Sequence, residues 1–143
     1  MHLDMSGAAA TLATMDTAVT RQVTRTFYEA IERRDWSAVV ALLDPGVVYE
    51  MPQSRERISG RDRYLQFNQE YPGDWHLRIR RVVADGPYAA AWVDGSVGDE
   101  HQDASAWLEV SPDGLIVRVT EYWPEPYEPP AGREHLTERY GPE

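Results

Sequence analysis

The order of hydrophobic periods along the chain predicts an α+β domain, helical in its first half and made of long strands in its second. Apolar residues recur every three or four positions from Asp16 to Tyr71, then every second position from His76 to Trp123. Pro72-Gly73 separates the two regimes. A chain of 143 residues has the length of one domain, so both halves must share one core, with the helices covering one face of the sheet.

Residues 1–15 show no period and read as a flexible extension, in which Met5 or Met15 could equally be the start. From Asp16, Val19, Val23, Phe27 and Ile31 stand four apart and predict an amphipathic helix. Asp35 is placed to cap a second helix carrying Trp36, Val39, Val40 and Leu43, which Asp44-Pro45-Gly46 ends. Residues 47–51 form a short strand and residues 53–58 a polar loop. Ser59 and Asp62 then suggest a capping box for a third helix bearing Tyr64, Phe67, Asn68 and Tyr71. Strands are expected over 76–84, 88–97, 102–111 and 115–123, with turns at Asp85-Gly86-Pro87, Gly98-Asp99 and Pro112-Asp113-Gly114. The folded domain is expected to span 16–128. Five of the ten prolines fall in the last twenty residues, so 129–143 read as a Pro-rich arm with a short helix near 133–140.

Composition narrows the function. At 42% hydrophobic, with five Trp and eight Tyr, the chain can bury a substantial core. A net charge of −10 disfavours nucleic acid and anionic membranes. The absence of Cys and of a signal-like apolar start fits a cytoplasmic protein. His2, His76, His101 and His135 are scattered, and no Gly-rich phosphate loop or Gly-x-Ser-x-Gly occurs, so neither metal nor organic cofactor is expected.

Several segments carry a resemblance. They are Phe27-Tyr28-Glu29-Ala30-Ile31 through Trp36, Val48-Tyr49-Glu50-Met51-Pro52, Gly60-Arg61-Asp62, Asp113-Gly114-Leu115-Ile116 and Glu121-Tyr122-Trp123. In order and spacing, over about residues 17–128, they resemble the nuclear transport factor 2-like superfamily, in particular its SnoaL-like, polyketide-cyclase-like branch. The strings Tyr49 to Gln53, Tyr71 to His76 and Trp123 to Tyr127 are similar to an actinobacterial-type subgroup. The resemblance implies a cystatin-like cone, three helices on a curved, mostly antiparallel sheet, enclosing an aromatic-lined pocket. In ketosteroid isomerases of the superfamily, a helix-one Tyr and two strand Asp share that pocket; matched by spacing, those positions fall on Phe27, Met51 and Ala106, which carry no such groups, so the chain is not expected to be a ketosteroid isomerase. Against limonene epoxide hydrolases, the two acids match Asp94 and Glu121, while Trp92 stands at the Arg position and Glu50 near the Asn position.

Strand parity, oriented by the resemblance, turns Val117, Val119, Glu121 and Trp123 inward, with Ala90, Trp92, Asp94 and Ser96 from one neighbour and Ala104, Ala106, Leu108 and Val110 from the next. Glu121 among Trp92, Trp123 and Phe67 would hold its proton more tightly than usual and could serve as a general acid or base, with Asp94 as second acid. Equally, Glu121 could pair with Arg57 or Arg61, and Asp94-Gly95 could mark a bulge. The first strand presents either Tyr49 and Met51 or Val48 and Glu50, and a one-residue slip reverses the choice. Phe27, Tyr64, Phe67, Leu108 and Val119 are further pocket candidates, and Arg57 is a rim candidate for a ligand anion or a solvated ion-pair partner. Two function classes remain: a cofactor-independent cyclase, isomerase, hydrolase or dehydratase acting on a small apolar organic molecule, or a non-catalytic ligand-binding or dimerisation domain. A homodimer through the outer sheet face, involving Arg78, Trp107, Arg118 and Tyr122, is expected from the resemblance.

Overall fold

The computed structural model describes residues 6–141, with side chains from Asp16 onward; residues 1–5 of the expected extension lie outside the described residues. The first helix, α1 (Ser6–Glu32), reaches ten residues further back than the apolar period suggested. Its buried side combines Val23, Phe27 and Ile31 with a second column, Thr20, Thr24 and Tyr28, also at four-residue spacing. The two hydroxyls are satisfied locally. Thr24 Oγ1 donates to the Thr20 carbonyl at 2.8 Å, and Thr20 Oγ1 donates to the Gly86 carbonyl at 2.7 Å. The second bond ties α1 to the turn between two strands of the sheet.

Asp35 caps α2 (Trp36–Leu42) as expected, its carboxylate accepting from the Ala38 N–H at 3.2 Å. The strand then begins four residues earlier than expected: β1 (Leu43–Met51) already includes Leu43, fully buried and paired with Ile116. The expected polar loop contains a four-residue strand, β2 (Glu56–Ser59), antiparallel to β1. Its charged sequence hides it, because only Ile58 faces the core. Ser59 therefore ends a strand and caps nothing. Gly60, with φ of 99°, stands before α3 (Arg61–Glu70) and provides no side-chain cap.

The remaining strands are β3 (Trp75–Asp85), β4 (Tyr88–Val97), β5 (Glu100–Val110) and β6 (Ile116–Tyr122). Together they form a six-stranded sheet ordered β2-β1-β6-β5-β4-β3, antiparallel throughout except where β1 runs parallel to β6. Helix α1 packs on β3, β4 and β5, and α3 on β1 and β2, so the helices cover one face and the core lies between. Beyond Trp123 the arm is extended, with turns but no helix among the described residues of 133–140. No described helix is long and apolar enough to cross a membrane.

Parity on β4 is the reverse of the expected one. Ala89, Ala91, Val93 and Gly95 face the helices, whereas Trp92 is 47% exposed on the outer face. Both sides of this strand carry apolar residues, so alternation alone could not orient it; the inner side takes the smaller set because rings from α1, β1 and α3 fill the space above it. A bulge between Glu109 and Val110 shifts β6 as well, burying Ile116 and leaving Val117 half-buried. Phe27 is fully buried and touches two aromatic rings. Phe27→Ala is therefore expected to cost about 3–5 kcal/mol in urea unfolding; a loss under 1 kcal/mol would contradict its place at the centre of the core.

Candidate functional site

Because β6 lies between β1 and β5, its side chains alternate between the helix-covered interior and the outer face. Val119 and Glu121 take the interior, and Glu121 is only 5% exposed. It stands directly across from Ala106 on β5. On the other side Tyr49 of β1 pairs with Val119, which settles the face of the first strand: Val47 and Tyr49 point in, and Met51 packs half-buried against the core.

Two phenols meet the acid. Tyr28 Oη donates to Glu121 Oε2 at 2.7 Å, and Tyr49 Oη donates to Oε1. On the same side of the strand, two residues beyond the acid, the Trp123 indole packs against the core and favours the charged form of the carboxyl. Tyr64 packs against Tyr49 at 4.9 Å between ring centroids and against Phe27 at 6.1 Å, while Phe67 lies 6.0 Å from Tyr49. Leu108 and Val119 complete the apolar surround.

The electrostatics follow from burial with no cation paired to the acid among the described residues. Desolvation raises the Glu121 pKa above its ordinary value, against the pull of hydrogen bonds from Tyr49, Tyr28 and Trp123. Burial, followed by the charge of Glu121, pushes Tyr28 and Tyr49 up, and the same pair of causes raises Tyr64. The phenols thus remain protonated donors, while the carboxyl is the group able to gain or lose a proton.

Other expected site residues lie elsewhere. Asp94 is on the outer face, where Arg78 Nη2 approaches Oδ2 at 3.4 Å and His101 Nδ1 approaches Oδ1 at 3.2 Å, so it is no second acid beside Glu121. Trp92 is outside with it, its ring 5.2 Å from the Arg80 guanidinium carbon. Glu50 also points outward, accepting from Arg57 Nη2 at 2.9 Å and from Arg118, and the Arg57 bond holds its carboxyl below the ordinary value. Arg57 is thereby an exposed ion-pair partner remote from the acid. Phe27, Tyr64, Phe67, Met51, Leu108, Val119 and Trp123 do lie on the inner side.

These rings pack closely around the acid, which is 5% exposed. Two hollows lie apart from Glu121: one of about 480 Å³ beside Ser59, Gly60 and Arg61, and one of about 320 Å³ between α1 and β3. Tyr28 forms part of the wall of the second. Among the described residues no group of three or more His, Asp or Glu converges to hold a metal.

Sequence reasoning missed Tyr28 as an acid partner because the apolar column through Phe27 drew attention from the column beside it. The run Thr20-Thr24-Tyr28, at the same spacing, was the available signal. For Glu121, whose folded pKa is raised, stabilisation is full below the unfolded carboxyl pKa and is lost as pH climbs through the folded one. Urea midpoints of the wild type should therefore fall relative to those of Glu121→Gln as pH rises from the ordinary carboxyl range. A constant or growing advantage for the wild type would mean that Glu121 is not held proton-rich.

With this geometry in place, comparison with known proteins identifies relatives. The profile of the SnoaL-like domain matches residues 24–119. A Kribbella flavida crystal structure, provisionally assigned as a ketosteroid isomerase, is 52% identical, covering 90% of this chain and 94% of that chain with a TM-score of 0.86. A provisionally assigned polyketide cyclase from Xanthomonas campestris is 26% identical, covering 76% of this chain and 93% of that chain at a TM-score of 0.64. An LEH-like epoxide hydrolase from M. tuberculosis, 24% identical over 76% of this chain and 84% of that chain, shares the fold at a TM-score of 0.65. No match was found among curated proteins.

Proposed function

The chain belongs to the SnoaL-like domain family and has a nuclear transport factor 2-like fold, and from that premise we propose that it is a cofactor-independent acid–base enzyme acting on a small apolar organic molecule. One observation carries this reading: a buried glutamate with no cationic partner among the described residues, its proton affinity raised, with two phenol donors on its oxygens. Such a carboxyl can take a proton from carbon or oxygen and return it elsewhere. Phenols that keep their protons can stabilise the oxygen on which charge develops. The names of the Kribbella and Xanthomonas relatives support isomerisation or cyclisation of a carbonyl compound as the reaction class. Since both carboxyl oxygens are already engaged, a substrate must displace at least one phenol to reach them.

That same occupancy favours a second reading, in which Glu121 is a satisfied core acid and the domain binds or associates without turnover. Turnover separates the two. In a screen of small cyclic ketones and epoxides monitored by NMR, the acid–base reading expects conversion that falls at least about a hundredfold in Glu121→Gln while the fold is retained. Conversion unchanged in Glu121→Gln would remove the residue from the mechanism, and ligand binding without conversion would favour the second reading.

We also propose that the outer sheet face joins two copies. Val83, Trp92, Trp107 and Tyr122 are 40–55% exposed there, and Arg78, Asp94, Asp103 and Arg118 around them offer charges of both signs for self-complementary pairing. Trp107→Glu should shift the sedimentation coefficient from dimer to monomer; a wild type that sediments as a monomer at high micromolar concentration would end this part of the proposal.

A further inference from the structure

Gly95 sits in the middle of β4, buried and paired with Leu77 on one side and Gln102 on the other. Its backbone is ordinary for a strand, without the positive φ that would require glycine. What demands glycine is space. A Cβ at this position would lie 2.5 Å from Cζ3 and 2.7 Å from Cη2 of Trp123, closer than carbon atoms can approach. The six-membered ring of the indole therefore rests on bare backbone.

The other end of Trp123 is held by two glutamines. Its main-chain N–H donates to Gln53 Oε1, from the turn between β1 and β2. Its carbonyl accepts from Gln102 Nε2 at 3.0 Å, and the same nitrogen donates to the Pro124 carbonyl at 2.8 Å. The cross-strand pair Gly95 and Gln102 thus grips one residue twice, the glycine receiving the ring and the glutamine receiving the main chain. Held this way, just past the end of β6, Trp123 packs against the core on the same side of the strand as Glu121, two residues earlier.

We propose that Gly95 is a positioning residue for the buried acid: the side chain it lacks leaves the berth in which the Trp123 indole lies, and that berth keeps the indole beside the Glu121 carboxyl. The inference builds on the reading of Glu121 as the proton-handling group. It concerns the carboxyl itself, however, so it stands or falls independently of whether any substrate is turned over. Hydrogen bonds to a carboxylate favour its charged form, and the indole is one of three that oppose the effect of burial on Glu121. Dislodging the ring should let the carboxyl keep its proton to higher pH.

The test uses the full chain and follows the infrared C=O band of the protonated Glu121 carboxyl, assigned by its loss in Glu121→Gln, through a pH titration. Trp123→Phe, which removes the N–H and the reach of the larger ring, should move the titration midpoint upward. Gly95→Ala should move it the same way and red-shift the fluorescence that Trp123→Phe eliminates. The double variant should titrate as Trp123→Phe alone, because the methyl then has no indole to displace. A folded Gly95→Ala protein with unchanged midpoint and fluorescence would overturn the proposal, as would a Gly95→Ala shift of equal size in the Trp123→Phe background. If Gly95→Ala alone does not fold, Gly95→Ala/Trp123→Phe must fold and titrate like Trp123→Phe. An unfolded double variant would mean that Gly95 is needed for some reason other than the indole.

Discussion

A carboxyl group held inside a hydrophobic core by neutral donors is the constraint around which this protein is arranged. Phenols can satisfy lone pairs of Glu121 but cannot cancel its charge, so the cost of burial persists as a raised proton affinity. Glu50 provides a comparison within the same sheet. It pairs across the ladder with Thr120, next to Glu121 in sequence, yet faces the outer side, where Arg57 and Arg118 reach it. The same side-chain chemistry is shifted down on one face and up on the other. What differs is the side of the strand, and with it the presence of water and guanidinium groups.

Keeping the acid in place sets the sizes of its neighbours. Tyr28, Tyr49 and Trp123 bring large rings to one region from three different elements, and close packing then requires the opposing strands to be thin there. Ala89, Ala91 and Gly95 on β4, with Ala104 and Ala106 on β5, supply that thinness. Ala91 pairs with Ala106, which in turn pairs with Glu121, so two small side chains lie in the row beside the acid. The inner face of the sheet is complementary in shape to its aromatic roof, with small residues on one side and large ones on the other.

The same complementarity explains which features were legible in the sequence. The helix pair and the long strands follow from period and punctuation, because in those segments one face is apolar, whereas the inward turn of Glu121 and Val119 came from the resemblance, since Ile116 and Tyr122 leave the other side of that strand apolar too. On β4 both faces are apolar, and alternation cannot tell the side of Ala91 and Val93 from that of Ala90 and Trp92. A large indole invites an interior assignment, but volume excludes it: the interior was already filled from above, so Trp92 and Asp94 went outside together. Strand β2 was hidden because three of its four residues face water. Glu50 was ambiguous for want of its partners, since the pairing with Arg118 depends on the parallel contact between β1 and β6, a long-range feature that local pattern does not encode.

Functional chemistry on such a face need not stay at fixed positions. By resemblance to ketosteroid isomerases, a phenol and acids would be sought at Phe27, Met51 and Ala106, and none is there. Yet each position has a neighbour that brings a comparable group inward. Tyr28 follows Phe27 on the widened buried side of α1, Tyr49 precedes Met51 by one full strand repeat on the same face, and Glu121 stands directly across from Ala106. Cross-strand partners have Cβ atoms only about 5 Å apart, within the reach of a glutamate side chain. Moving an acid from β5 to the facing position on β6 therefore alters its attachment to the chain far more than its location in space. An argument from empty positions excludes one way of mounting the groups, whereas the mounting seen here places a carboxyl and two phenols in contact by another route. That is why the contact between Glu121, Tyr28 and Tyr49 bears on function more directly than position-by-position correspondence does.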